Sequence, residues 1–165
     1  MFKLRQETPE DSWEVEALLD SAFGTERLAL SSYRLRTGVS HLLALSAVAH
    51  DQFGILCGAI RFWPVKVGVH DSLLLGPIAV HPTRQGEGLG GILMRAGLQR
   101  AEQDGWQHVL LVGDAPYYRR FGFAVAVDIH FPLPTDPQRV LYLSLGQTPT
   151  QAIAGRVSKW KQPAE

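Results

Sequence analysis

The sequence predicts an α+β fold built on one mixed α/β sheet, mostly antiparallel, with a single parallel pair at its centre and helices on its faces. Three observations carry this. Strand-like and helix-like segments follow the order β-α-α-β-β-β-α-β-α-β-β. One strand–helix–strand crossover, from 71–80 through 90–104 to 108–114, sits inside an otherwise antiparallel chain, which argues against a doubly wound sheet. The chain has 165 residues, 45% apolar and 19% charged, enough for one domain with a substantial core.

Each element has its own signal. FKLRQ forms a short opening strand. TPEDSWEVEALLDSAFG reads as a helix, with Thr8 as N-cap, Pro9 in the first helical position and Gly24 as terminator. Trp13, Ala17 and Leu18 fall on one face of it. TERLALSSYRLRTG predicts a second helix, stopped by Gly38. HLLALSAVAH and GILCGAIRFWPVKVG are strand-like around the turn DQFG, and DSLLLGPIAV is the hairpin partner of the second. GGILMRAGLQRAEQDG is a helix presenting Leu89, Leu93, Ala96 and Arg100 on one face. WQHVLLVGD is a strand buried on both faces, and APYYRRFG is one or two helical turns. FAVAVDIHFPL and RVLYLSLG close the sheet. Residues 1–146 thus form one domain, and 147–165 read as a polar, loosely attached tail.

Charge excludes some functions. Sixteen basic and sixteen acidic residues cancel, so no long-range field favours nucleic acid or an anionic membrane. Neither is an expected partner, and no metal is expected. The single cysteine, Cys57, excludes an intramolecular disulfide and sits in an apolar run as a buried, inert thiol. The opening segment has no apolar h-region and no stretch approaches 18 apolar residues, so the expected location is the cytoplasm.

RQGEGLGG, residues 84–91, carries four glycines in eight positions. Bare amides at a helix start suit phosphate oxygens, and so many glycines cost entropy that a plain turn does not require. A dinucleotide fingerprint, Gly86-x-Gly88-x-x-Gly91, has Asp114 standing where a ribose-binding acid would be. Against it, HPTRQ separates the glycines from their strand, three strands precede the loop, and no second strand–helix–strand unit follows. A Walker loop is excluded because no Gly-Lys-Ser/Thr follows.

LGPIAVHPTRQGEGLGGILM resembles the acetyl-coenzyme A motif of the GCN5-related N-acetyltransferases (the GNAT family), and YYRRFGF resembles that family's second signature. LLVGDAPYYRRFGF together with AFGTERLALSSYRLRTG is similar to a bacterial subgroup of acetyltransferases whose acceptors are mostly not established. The resemblance covers most of residues 1–145 and implies the acyl-CoA N-acyltransferase fold, whose central parallel strands splay apart. It implies acetyl-CoA as co-substrate, with the amides of Gln85, Gly86, Glu87, Gly88, Leu89, Gly90 and Gly91 on the pyrophosphate. The main chain of Ile78, Ala79 and Val80 would pair with the pantetheine arm, and one of those amides would stabilise the thioester oxyanion. Tyr118, four residues before Gly122, takes the general-acid position and Tyr117 the packing position.

The implied activity is N-acetyl transfer to a primary amine, of a small molecule or peptide, by direct attack in a ternary complex. Two departures from the family pattern matter. SLLLGPIAV lacks the carboxylate often found on the fourth strand, leaving Asp114, Asp71, His70, His81 and Glu26 as candidate bases, and the usual Asn after the fifth strand is missing. These gaps keep a second reading open, a non-catalytic acyl-CoA-binding or interaction module on the same fold. Arg27, Tyr33 and Arg34 would face the acceptor side, and an apolar edge at RVLYLSLG would favour a homodimer.

Overall fold

The computed structural model describes residues 1–24, 27, 31–146 and 153–161. The strands are β1 (Lys3–Gln6), β2 (Ala47–His50), β3 (Leu56–Val67), β4 (His70–Val80), β5 (His108–Val112), β6 (Ala124–Val125), β7 (Ile129–His130), β8 (Val140–Ser144) and β9 (Gly155–Lys159). The helices are α1 (Ser12–Phe23), α2 (Ser31–Arg34), α3 (Leu89–Gln103) and α4 (Ala115–Tyr118). The sheet runs β1-β2-β3-β4-β5-β8-β6, with β9 added to β3 beyond the reach of β2. Every pair along that path is antiparallel except β4–β5, and a small parallel contact joins β7 to β9 at the periphery. The mixed sheet and its central parallel pair are therefore as the sequence predicts.

The parallel pair is short. β4 and β5 are in register only at Leu73–Val109 and Leu74–Leu110. Directly beyond, β4 bulges: Ile60 pairs with Ile78 and Phe62 with Leu75, leaving Gly76 and Pro77 opposite Arg61. Gly76 has φ +130°, which a side chain forbids, so the bulge needs glycine there. Ile78, Ala79 and Val80 remain paired to β3 on one side and, among the described residues, have no strand on the other. The sheet thus opens at its centre.

Two helices clamp this opening from opposite faces. Leu89, Leu93, Met94 and Ala101 of α3 pack with Ile60 and Phe62, while Val15, Leu18 and Leu19 of α1 pack with Ala59 and Ala79. Each of the larger buried side chains among these, the Leu, Ile, Val, Met and Phe, stabilises by about 2 kcal/mol. Adjacent residues Ala59 and Ile60 serve the two faces because strand side chains alternate.

Several expectations are corrected. Trp13 is 73% exposed and Ala17 is exposed, because a 3-10 turn at Pro9–Asp11 precedes α1 and shifts the inward stripe to Val15, Leu18 and Leu19. Of the second helix, residues 25, 26 and 28–30 lie outside the described residues, and the described part is one turn. The strand expected over 41–50 begins only at Ala47. Ser46 donates its N–H and its hydroxyl to the Leu42 carbonyl, folding 42–46 into a turn. FAVAVDIHFPL breaks into β6 and β7, which take different partners, β8 and β9. The described part of the tail, 153–161, is attached to the domain: Ile153 and Val157 are buried, and β9 pairs with β3 at Val65, Lys66 and Val67. β8 is paired on both sides, by β5 and β6, so the open edge that would favour a homodimer is covered over Leu141 and Tyr142. No described helix is long and apolar enough to cross a membrane.

Candidate active site

Two adjoining cavities lie along the gap between β4 and β5. The first, about 620 Å³, runs from the free edge of Ile78–Val80 to the glycine loop and the start of α3. The second, about 570 Å³, lies toward α2 and is bounded by Leu75, Gly76, Gly113 and Asp114. Phe23, Ile78, Tyr117 and Tyr118 line both.

The loop is built to expose amides. Gly88 is the N-cap of α3 with φ +82°, a conformation that any side chain resists, and the space a Cβ would take is open there. The amides of Gly88, Leu89, Gly90 and Gly91 are the four that an α-helix leaves unpaired; the first intrahelical bond is Ile92 N–H to Gly88 O. Leu89 turns its side chain into the core, and Glu87 turns its carboxylate to Arg84 at 3.1 Å. Gln85 is exposed and reaches back to the Val80 carbonyl. Gln85, Gly86, Gly88, Leu89, Gly90 and Gly91 line the first cavity with Ile78, Ala79 and Val80. Glu87 does not.

Tyr118 stands where the cavities join. Asp114 is the N-cap of α4, and its backbone carbonyl accepts the N–H groups of Tyr117 and Tyr118 at 3.1 Å each. The Tyr118 ring packs edge-on against Tyr117 and Phe123. Its hydroxyl has no hydrogen-bond partner among the described residues. Burial, with a smaller contribution from Tyr117, pushes the phenol above its ordinary range. Tyr117, expected to be packing, is exposed, with its hydroxyl beside Gly90.

Of the candidate bases that are described, Asp114 alone lines the second cavity, and its side chain makes no cap hydrogen bond. Asp71 is paired with Lys66 and stands with His70 at the far end of β4, outside both cavities. His81 caps the turn at Pro82–Arg84 by accepting from the Thr83 N–H. Glu26 lies outside the described residues. Of the residues expected on the acceptor side, Arg27 and Tyr33 line the second cavity, whereas Arg34 bonds the Leu133 carbonyl elsewhere.

Sequence reasoning missed four contributors. Gly113 allows the close approach of Tyr118: a Cβ there would lie 2.5 Å from ring carbon Cε2. Arg36 and Arg139 line the second cavity, and Arg95 lines the first. The Gly in VGD was a readable signal, but nothing in the arginines' spacing distinguishes them from a solvated face.

Comparison with known proteins agrees with this geometry. Residues 43–125 match the model of the acetyltransferase (GNAT) domain family. The uncharacterized N-acetyltransferase YhbS of Escherichia coli K12 is 34% identical over 125 residues, 74% of each chain. YjhQ of the same strain, also named an uncharacterized N-acetyltransferase, is 36% identical over 129 residues, 75% of this chain and 71% of that protein. The crystal structure of E. coli YhbS in complex with CoA superposes with a TM-score of 0.82 at 29% identity, covering 96% of this chain and 89% of that one. A GNAT family acetyltransferase from Brucella melitensis in complex with acetyl-CoA gives 0.70 at 31% identity, covering 97% and 96%.

Proposed function

Because the chain belongs to the GNAT acetyltransferase family, we propose that it transfers the acetyl group of acetyl-CoA directly to a primary amine in a ternary complex. The observation that carries this reading is the meeting of the two cavities at Tyr118, beside the unpaired edge of β4. The fit to the co-substrate rests on the open, side-chain-free cradle at Gly86 and Gly88 and on the four free amides of α3.

Acetyl-CoA supplies the thioester whose acyl carbon the amine attacks. The amides of Gly88, Leu89, Gly90 and Gly91 bind the pyrophosphate, and Arg84, Arg95 and Arg120 add positive charge around it. Ile78, Ala79 and Val80 offer their backbone to the pantetheine amides as a strand would. An amide of that segment polarises the carbonyl oxygen as charge develops on it. Asp114 accepts a proton from the amine. Tyr118, protonated at neutral pH as any phenol is, donates its proton to the departing sulfur.

A melting curve tests the first half. Acetyl-CoA at a hundred times its dissociation constant should stabilise by about 2.7 kcal/mol, and NAD should not. Thiol release across a panel of amines tests the second. Stabilisation with no turnover on any amine would leave a binding module, and stabilisation by NAD alone would overturn the choice of ligand.

A further inference from the structure

One charged side chain in the second cavity, Arg36, has no carboxylate partner among the described residues and keeps one buried donor free. Arg36 is only 7% exposed. Its guanidinium carbon stacks 4.4 Å from the Tyr33 ring centroid and lies 5.7 Å from that of Trp63. Among the described residues no carboxylate pairs with it, and its buried Nε has no acceptor. Glu7, Glu16 and Asp20 are engaged by other cations. Arg27 holds Glu16 at 2.6 Å and Asp20 at 3.1 Å; Arg61 holds Glu7 at 2.9 Å and Glu16 at 2.7 Å. His41 takes the other side of Glu7. Arg61, 4% exposed, also leaves its Nη2 bare.

Both arginines border a recess of about 200 Å³, walled further by Trp63 and Pro77. This recess shares Arg27, Tyr33 and Arg36 with the second cavity, so it is a side pocket of the acceptor space. Glu16 on its rim is held by Arg27 and Arg61 and does not compete for Arg36. Burial pulls the Arg36 guanidinium down to about 10; Tyr33 opposes this, and Arg27 and Arg61 add to it. It still carries its charge at neutral pH. A buried, unpaired guanidinium is costly to the fold, and an anion in the recess would remove that cost with charge-assisted hydrogen bonds.

We propose that the acceptor is a small amine that also carries an anionic group, and that Arg36 receives this group while the amine lies toward Tyr118. The proposal rests on the acetyltransferase reading and narrows its substrate class. A carboxylate and a phosphate satisfy the same donors, and matched amines separate them.

The experiment measures thiol release from acetyl-CoA with α-amino acids against their carboxamides, and with phosphoethanolamine against ethanolamine. In the parent, the anionic member of at least one pair should exceed its neutral partner by about 10²-fold in kcat/KM, and the larger ratio identifies the anion. Arg36→Gln should reduce that ratio below about tenfold, mainly through KM, and Arg36→Lys should restore part of it. The corresponding N-acetylated anion, with CoA present, should raise the melting temperature of the parent and not of Arg36→Gln. Arg36→Gln gives up stacking on Tyr33 and Trp63 but no ion pair, so it should remain folded and keep its melting shift with acetyl-CoA. Equal turnover of anionic and neutral partners would overturn the proposal and leave the acetyltransferase standing. So would an Arg36→Gln protein that melts lower and loses both activities equally. If neither anionic amines turn over nor their acetylated forms bind, the proposal falls. Absence of any shift with acetyl-CoA removes the parent reading, and this one with it.

Discussion

At Gly113 a Cβ would lie 2.5 Å from Cε2 of Tyr118 and 2.9 Å from Cδ1 of Leu111. The Tyr118 ring therefore owes its place to a missing side chain on the neighbouring strand. If its hydroxyl protonates the leaving thiolate, Tyr118→Phe should slow the chemical step by roughly 10²-fold while leaving acetyl-CoA affinity unchanged. Single-turnover rates check this, with Tyr117→Phe expected to keep the parent rate. A full rate in Tyr118→Phe would remove the general-acid role. Gly113→Ala asks about position alone. It keeps the hydroxyl but pushes the ring aside, so the rate should fall by about tenfold or more with acetyl-CoA still bound. Retained rate in Gly113→Ala would mean that the ring relocates without consequence. Tyr118 was legible in the sequence through its spacing to Gly122. Gly113 was visible only as a glycine, because the clash it avoids arises only once the turn at Asp114 brings the Tyr118 ring against it.

The glycine loop and α3 were read nearly whole, with the helix starting one residue earlier, at Leu89. Their signals are local: glycines where φ is positive, then a 3.6-residue apolar repeat. Gly88→Val tests the element, since a β-branched residue resists φ +82° and fills the space left for a phosphate. Acetyl-CoA should then lose its stabilising effect, and a melting shift of parental size would place the phosphates elsewhere. β9 was misread for the opposite reason. Its sequence is polar, and the strand it joins, β3, lies about ninety residues earlier, so only the folded sheet shows that Val157 is 2% exposed against Val65 and Val67. Val157→Asp would bury an unpaired carboxylate and should cost about 3 kcal/mol or more in urea unfolding. A loose tail would give a change within about 0.5 kcal/mol.

Across the whole molecule a net charge of zero conceals an uneven arrangement. Glu7 and Glu16 meet Arg61 of β3, Glu16 and Asp20 meet Arg27, and that pairing leaves Arg36 without a carboxylate among the described residues. Composition gave the balance, and only the fold distributes it. The same region sets the response to acid. Hydrogen bonds from Arg5, at 2.6 and 2.7 Å, hold the Asp11 carboxyl well below the usual carboxylate range; burial opposes them, and Thr8 adds its N–H and hydroxyl. Glu16 is also lowered, against its burial, by Arg27 and Arg61. A carboxylate with a depressed folded pKa stabilises fully above its unfolded value, near 4, because both states are then ionised. As the pH falls through that value toward the folded one, the unfolded chain binds the proton first and the stabilisation is lost. Arg5 is 48% exposed, so solvent screens its pair with Asp11. Arg5→Gln should therefore cost about 1 kcal/mol or less at pH 7. The gap between parent and variant should narrow steadily below about pH 5 and shrink in high salt. Urea unfolding of both proteins from pH 7 down to pH 3 measures it. A gap that stayed constant with pH would mean that Arg5 stabilises by packing its stem, with the charge on Asp11 playing no part.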